Sequence, residues 1–208
     1  YTLSNTDFDG NEAISGGGMF VEASSPILTK VSFEDNRAQL TYVDDTLGGG
    51  GIYLQDGSDV TFTGAAFSGN EAANGGGMFI SDSNPTLTNV SFSGNQAGDD
   101  VSGSGGGLWN HEGSPTLVNV LFGGNASTQD GGGMLSGGAG SNVTIINATF
   151  SGNAAGGNGG GLNTTCPNMT IHNTVIWNNQ DGNGTLGVTL TRRGRSNMPT
   201  STTVHTRC

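Results

Sequence analysis

The chain has 208 residues, 39 of them glycine, with 32% hydrophobic, 11% charged and 7% aromatic side chains. That is little apolar material for one ordinary globular core, and a net charge of −11 with only six basic residues excludes nucleic acid as a partner, because phosphate backbones are held by clustered Lys and Arg. No apolar run approaches ~18 residues, so no membrane span is expected.

Taken in chain order, the elements repeat. Phe8 is followed three residues later by Asn11, and the same pair returns as Phe33 and Asn36, Phe67 and Asn70, Phe92 and Asn95, Phe122 and Asn125, and Phe150 and Asn153, with Ile176 and Asn179 as a seventh copy. Successive Asn positions are 25, 34, 25, 30, 28 and 26 residues apart. A period in that range marks a solenoid whose coils differ in loop length. Five residues before each Phe stands a large apolar residue, in turn Leu3, Leu28, Phe62, Leu87, Leu117, Ile145 and Ile171. Between copies, three or more glycines precede Met19, Ile52, Met78, Leu108, Met134 and Leu162. No single coil can bury these anchors, so stacking must do it.

Around the anchors the pattern is period two, as in Pro85 to Phe92, which is strand chemistry. The alternation breaks at Asn89 and at the equivalent Asn5, Asn119, Asn147 and Asn173, where Lys30 and Gly64 are the exceptions. Asn tolerates left-handed backbone and bonds its own main chain, so these positions predict corners, with their amides stacked in an inward ladder. The expected fold is all-β: a single-stranded right-handed parallel β-helix of about seven coils over residues 1–183, followed by a basic, Thr-rich cap or tail over 184–208. Its interior would hold a Phe column, a Leu/Ile column and a Met/Leu/Ile column at a spacing of about 4.8 Å.

The charge is unevenly placed. Residues 1–191 carry two basic and seventeen acidic groups, while Arg192, Arg193, Arg195 and Arg207 lie in the tail; the body is a self-repelling polyanion. The triple glycines can be read as a phosphate cradle, but the following helix and the lysine are missing; turns with positive φ and close coil contacts account for six repeats better. Asp44 with Asp45 and Asp99 with Asp100 sit in the loops that lengthen their coils and read as solvated tips, with a weak Ca²⁺ site as the sharper alternative. His111, His172 and His205 have no ligand spacing for zinc, so no cofactor is expected. Cys166 and Cys208 are too few for a framework, though one bridge pinning the tail to the last coil is an option.

The alternation of Gly-Gly-Gly-[Met/Ile/Leu] with Phe-x-[Gly/Asp]-Asn resembles the repeats of the chlamydial polymorphic outer membrane proteins and the many bacterial surface proteins that share them, whose motifs read Gly-Gly-Ala-[Ile/Leu/Val] and Phe-x-x-Asn. The resemblance runs to about residue 180. It implies a parallel β-helix displayed outside the cell, often in adhesion. Here the third motif position is Gly rather than Ala.

Function is expected to be structural or adhesive, secreted or at a cell surface, without catalysis. The partners are then a host or cell-surface ligand or glycan, or the chain itself stacked end to end, since Tyr1 opens inside a repeat with no cap before it. A polysaccharide lyase or hydrolase is the catalytic alternative; a hydrolase needs two carboxylates across one bond. Six residues before each Phe come Thr2, Ile27, Thr61, Thr86, Thr116, Thr144 and Thr170, with Ser4, Thr29, Thr63 and Thr88 two positions on; these predict outward hydroxyl rows, a resemblance to ice-binding β-helices that Val118, Ile146 and His172 interrupt. Of the Asn-x-Ser/Thr sequons, Asn125, Asn142, Asn163 and Asn168 are expected to be open to glycosylation, while Asn89 and Asn147 are expected to be closed to it; Asn183 is a further sequon.

Overall fold

A computed structural model describes residues 1–38, 48–98, 102–165 and 168–182, together with the backbone of Val188–Leu190 and Val204–Thr206. All assigned elements are strands, and every strand pairing is parallel, which joins like positions of successive coils into three sheets.

The largest sheet carries the Phe positions, on strands such as Thr2–Asp9, Ile27–Glu34, Thr86–Ser93 and Thr116–Gly123. Its register sets Phe8 against Phe33, Phe33 against Phe67, Phe67 against Phe92, Phe92 against Phe122, Phe122 against Phe150 and Phe150 against Ile176. A second sheet carries the residues after the glycines, from Met19–Glu22 to Leu162–Thr164. The third is built of two-residue strands, Glu12–Ala13 to Ala154–Ala155. Val188–Leu190 and Val204–Thr206 add a further strand to the second and first sheets.

Inside, the Phe rings from Phe8 to Phe150 pile with centroids 4.5–4.8 Å apart and planes within 1–9° of parallel. The strand spacing of about 4.8 Å dictates that separation, which falls within the range of offset-stacked rings. Leu28, Phe62, Leu87, Leu117 and Ile145 are wholly buried beside them, as are Ile52, Met78, Leu108, Met134 and Leu162. Coils compensate for volume: where Phe62 replaces Leu, Ala65 stands in the position that Val31 and Val90 hold in the coils on either side.

The corner residues Asn5, Lys30, Gly64, Asn89, Asn119, Asn147 and Asn173 all have φ between 47° and 66°. Their side chains are not inward as expected. A left-handed residue resets the strand phase, so that Leu87 and Val90, three apart, both point in while Asn89 points out. The corner amides form an exposed chain instead, Asn147 Nδ2 donating to Asn119 Oδ1 and Asn119 Nδ2 to Asn89 Oδ1 at 3.2 and 3.1 Å.

The buried amide ladder belongs to the other Asn series. Each of Asn11, Asn36, Asn70, Asn95, Asn125 and Asn153 donates its side-chain N–H to the Oδ1 of the next coil's Asn at 2.8–3.0 Å. The same Oδ1 accepts the backbone N–H of the preceding Asn at 3.0–3.1 Å. From Asn36 to Asn179 the second side-chain N–H goes to the Phe carbonyl one coil back, at 2.7–3.0 Å. An interior Asn thus fills both donor hydrogens and both acceptor lone pairs, as a fully buried amide must. The residue before each ladder Asn is again left-handed: Gly10, Asp35, Gly69, Gly94, Gly124, Gly152 and Asn178.

The three glycines have separate causes. Gly75 adopts φ +59. Gly77 has no such need, but a methyl group on it would stand 2.6 Å from the Gly107 carbonyl oxygen and 3.0 Å from the Phe92 ring. Close backbone approach therefore demands Gly where the resembling motif has Ala.

Candidate functional site

Because the Asn side chains of the Phe-x-x-Asn series are taken up inside, any binding chemistry lies in what the sheets and corners turn outward. On the first half of the Phe sheet the register aligns Thr2, Ile27, Thr61, Thr86, Thr116, Thr144 and Thr170 in one row, and Ser4, Thr29, Thr63, Thr88, Val118, Ile146 and His172 in the next. All of these are exposed or half-buried. Three of the N-terminal four coils thus offer hydroxyl pairs, with Ile27 interrupting the first row, and the second row continues as Val118, Ile146 and His172 in the last three.

Beyond the corner, the outward rows change character along the axis. They begin acidic, with Asp7 and Asp9 beside Ser32 and Glu34. They continue as Ala66 and Ser68, then Ser91 and Ser93, then Leu121 and Gly123, Thr149 and Ser151, and reach Val175 and Trp177, with His205 of the added strand next to Val175 in register. Trp177 is 55% exposed and Leu121 43%.

The second sheet has an outward aromatic row that the spacing argument missed: Phe20, Tyr53, Phe79 and Trp109, ring against ring at 4.8–5.3 Å and 81–89°. Its signal was legible, since each ring directly follows the apolar residue after a glycine run. The row is largely covered: Tyr53 is 5% and Phe79 1% exposed, and Gly48 lies against the Phe79 ring. It forms a satellite cluster distinct from the central core. His111 continues from Trp109, with ring centroids 6.0 Å apart.

Asp56, Asp82 and Glu112 follow one another at the left-handed corner after this sheet, exposed, with φ 56°, 50° and 63°. Their backbones are linked coil to coil, Gly57 N–H to the Asp82 carbonyl and Asp82 N–H to that of His111. The neighbouring corner is a buried serine ladder, in which Ser58 N–H donates to Ser83 Oγ at 3.0 Å. In the next coil Gly113 takes the serine position, and the Asn110 amide fills the gap: its Nδ2 donates to the Gly113 carbonyl and to Ser136 Oγ, both at 2.9 Å. Asn110 Oδ1 is buried without a partner.

The sequons sort differently from expectation. Asn142 and Asn168 are exposed and stand side by side in register. Asn125 is fully buried with its amide committed to Asn153 and the Phe92 carbonyl, so no glycan fits there. Asn163 is 4% exposed, because the glycine turn curls over it, with a methyl on Gly159 2.7 Å from its Cβ. Asn89 and Asn147, expected to be closed, are exposed corner residues. The acidic pairs Asp44–Asp45 and Asp99–Asp100, both cysteines and Asn183 lie outside the described residues. His172 is exposed on the threonine face. Among the described residues no three His, Cys, Asp or Glu side chains group to hold a metal, and no helix is long and apolar enough to cross a membrane.

Parallel sheets stacked coil on coil around continuous columns define the class: a right-handed parallel β-helix. A family model described as "Right handed beta helix region" matches residues 1–122, more than half of the chain, and the chain belongs to that family. No curated protein and no solved structure gives a significant match.

Proposed function

We propose that this β-helix is an extracellular or cell-surface protein whose outer faces serve structure and adhesion, binding a glycan or another cell-surface ligand without catalysis. One observation carries the reading: the largest sheet presents small hydroxyl side chains in two outward rows, Thr2 to Thr170 with Ile27 as the one interruption and Ser4 to Thr88, while the amides of the Phe-x-x-Asn series are engaged in the interior. A flat, periodic, weakly charged face suits a repetitive ligand more than a single reacting bond. The two alternating motifs support kinship with the chlamydial polymorphic outer membrane repeats, and a displayed passenger role with it.

The test is retention of the labelled chain on immobilised glycans and on intact cells, beside a screen for turnover of neutral and acidic polysaccharides with and without Ca²⁺. Saturable retention without new chain ends is expected. Sustained depolymerisation would overturn the non-catalytic reading. Filaments lengthening with concentration in electron micrographs would replace adhesion with end-to-end assembly.

A further inference from the structure

The chain has two tryptophans, and neither enters the central columns, which are built from Phe and aliphatic residues. Trp109 belongs to the partly covered aromatic row. Trp177 stands out from the end of the Thr174–Trp177 strand, more than half exposed. Along its row lie Ser151 and Gly123, and along the adjacent row Val175, Thr149 and Leu121. A methyl group on Gly123 would meet nothing within 4 Å. The result is a shallow track with a flat indole at one end, open small-residue positions beside it and hydroxyls within it. Exposed Asn178 adds an amide at the corner.

We infer that this track is a binding subsite for an uncharged oligosaccharide, with one pyranose ring stacked on Trp177. The inference rests on the adhesive reading above and names its ligand class. The charge pattern selects the ligand: from Ala66 and Ser68 to Val175 and Trp177 neither row carries a charged residue, whereas the first two coils hold Asp7, Asp9 and Glu34. On a chain of net charge −11, a polyanion is repelled over the whole body. An amphipathic peptide helix needs a continuous apolar stripe, and here Thr149 and Ser151 separate Leu121 from the Val175–Trp177 pair. A sugar matches that alternation. Its C–H face is drawn to the negative face of the indole, and its hydroxyls meet Thr149, Ser151 and Asn178, which both donate and accept.

The test uses the full chain carrying Trp109→Phe, which leaves Trp177 as the sole indole. Cellohexaose, xylohexaose and mannohexaose, all neutral, and hexagalacturonate as the anionic counterpart are titrated while indole emission is followed. A saturable change with at least one neutral hexaose and none with the anion is expected. In the native background, Trp177→Ala and, separately, Gly123→Arg, which fills the open track, should each weaken retention of that sugar at least tenfold with unchanged circular dichroism. Sugar retention that survives both substitutions but is lost in a Thr61→Lys, Thr116→Lys variant overturns this subsite while leaving the adhesive reading standing. Emission changes with hexagalacturonate alone, no response to any neutral hexaose, or self-association abolished by Trp177→Ala each overturn it as well.

Discussion

Replacing Asn95 by Ala at the middle of the amide ladder removes four hydrogen bonds: from its side chain to the Phe67 carbonyl and to Asn125 Oδ1, and from Asn70 backbone and side-chain N–H groups to its Oδ1. All four partners are buried or carry buried atoms, so the donors on Asn70 and the Phe67 carbonyl become orphans. At a net ~1 kcal/mol per bond the loss is about 4 kcal/mol, and the larger penalty for each orphan moves it upward. Asn11 offers the control, because its side chain makes one such bond, to Asn36 Oδ1, from an exposed position; Asn11→Ala should cost no more than about 1 kcal/mol. Asn95→Asp should be at least as damaging as Ala, since it sets carboxylate lone pairs against Asn125 Oδ1 and the Phe67 carbonyl inside the core. Urea unfolding followed by circular dichroism reads all three through the midpoint and slope. Equal midpoints for Asn95→Ala and Asn11→Ala would refute the claim that the ladder is continuous and buried.

Three further outcomes follow from the same geometry. Gly77→Ala should destabilise by about 1–3 kcal/mol through overpacking against the Gly107 carbonyl and Phe92; an unchanged urea midpoint would contradict the close approach. Gly113→Ser, which restores the serine ladder, should be destabilising alone, because a side chain there meets Asn110 Oδ1 and the Ser83 carbonyl. Combined with Asn110→Ala it should recover part of the loss, and additive effects in the double-mutant cycle would contradict the coupling. Expressed in a glycosylating host, the folded chain should carry glycans among Asn89, Asn142, Asn147 and Asn168 and none at Asn125 or Asn163; peptide mapping that finds Asn125 modified in folded material would contradict its burial.

Much of the architecture is legible in the sequence because like residues stack on like. The Phe-x-x-Asn interval is constant even where loops lengthen a coil from 25 to 34 residues, so Phe33 and Phe67 must share a column. What period two cannot carry is the effect of one left-handed residue. It placed Asn89 and Asn147 inside, whereas a positive φ swings the corner side chain out and brings both neighbouring apolar residues in. The same limit hid Asn163, whose cover comes from the preceding glycine turn. The aromatic row after the glycines was readable as Met-Phe, Ile-Tyr, Met-Phe and Leu-Trp, but its burial depends on ring-on-ring stacking between coils and on the approach of Gly48 to Phe79, which composition does not reveal. The neutral track at Trp177 needed the register, because Gly123, Ser151 and Trp177 are remote in sequence and follow one another only once the coils are stacked.

Stacking in register is the claim on which the rest depends, and spin-label distances between outward threonines test it most directly. In a background with Cys166 and Cys208 replaced by Ser, labels at Thr61 and Thr170 are four coils apart, those at Thr2 and Thr144 five, and those at Thr2 and Thr170 six. With a coil spacing of about 4.8 Å, the label separations should be roughly 19, 24 and 29 Å, rising linearly with coil number. Distances well away from these values, or without a step of about 4.8 Å per coil, would contradict the β-helix and the faces built on it.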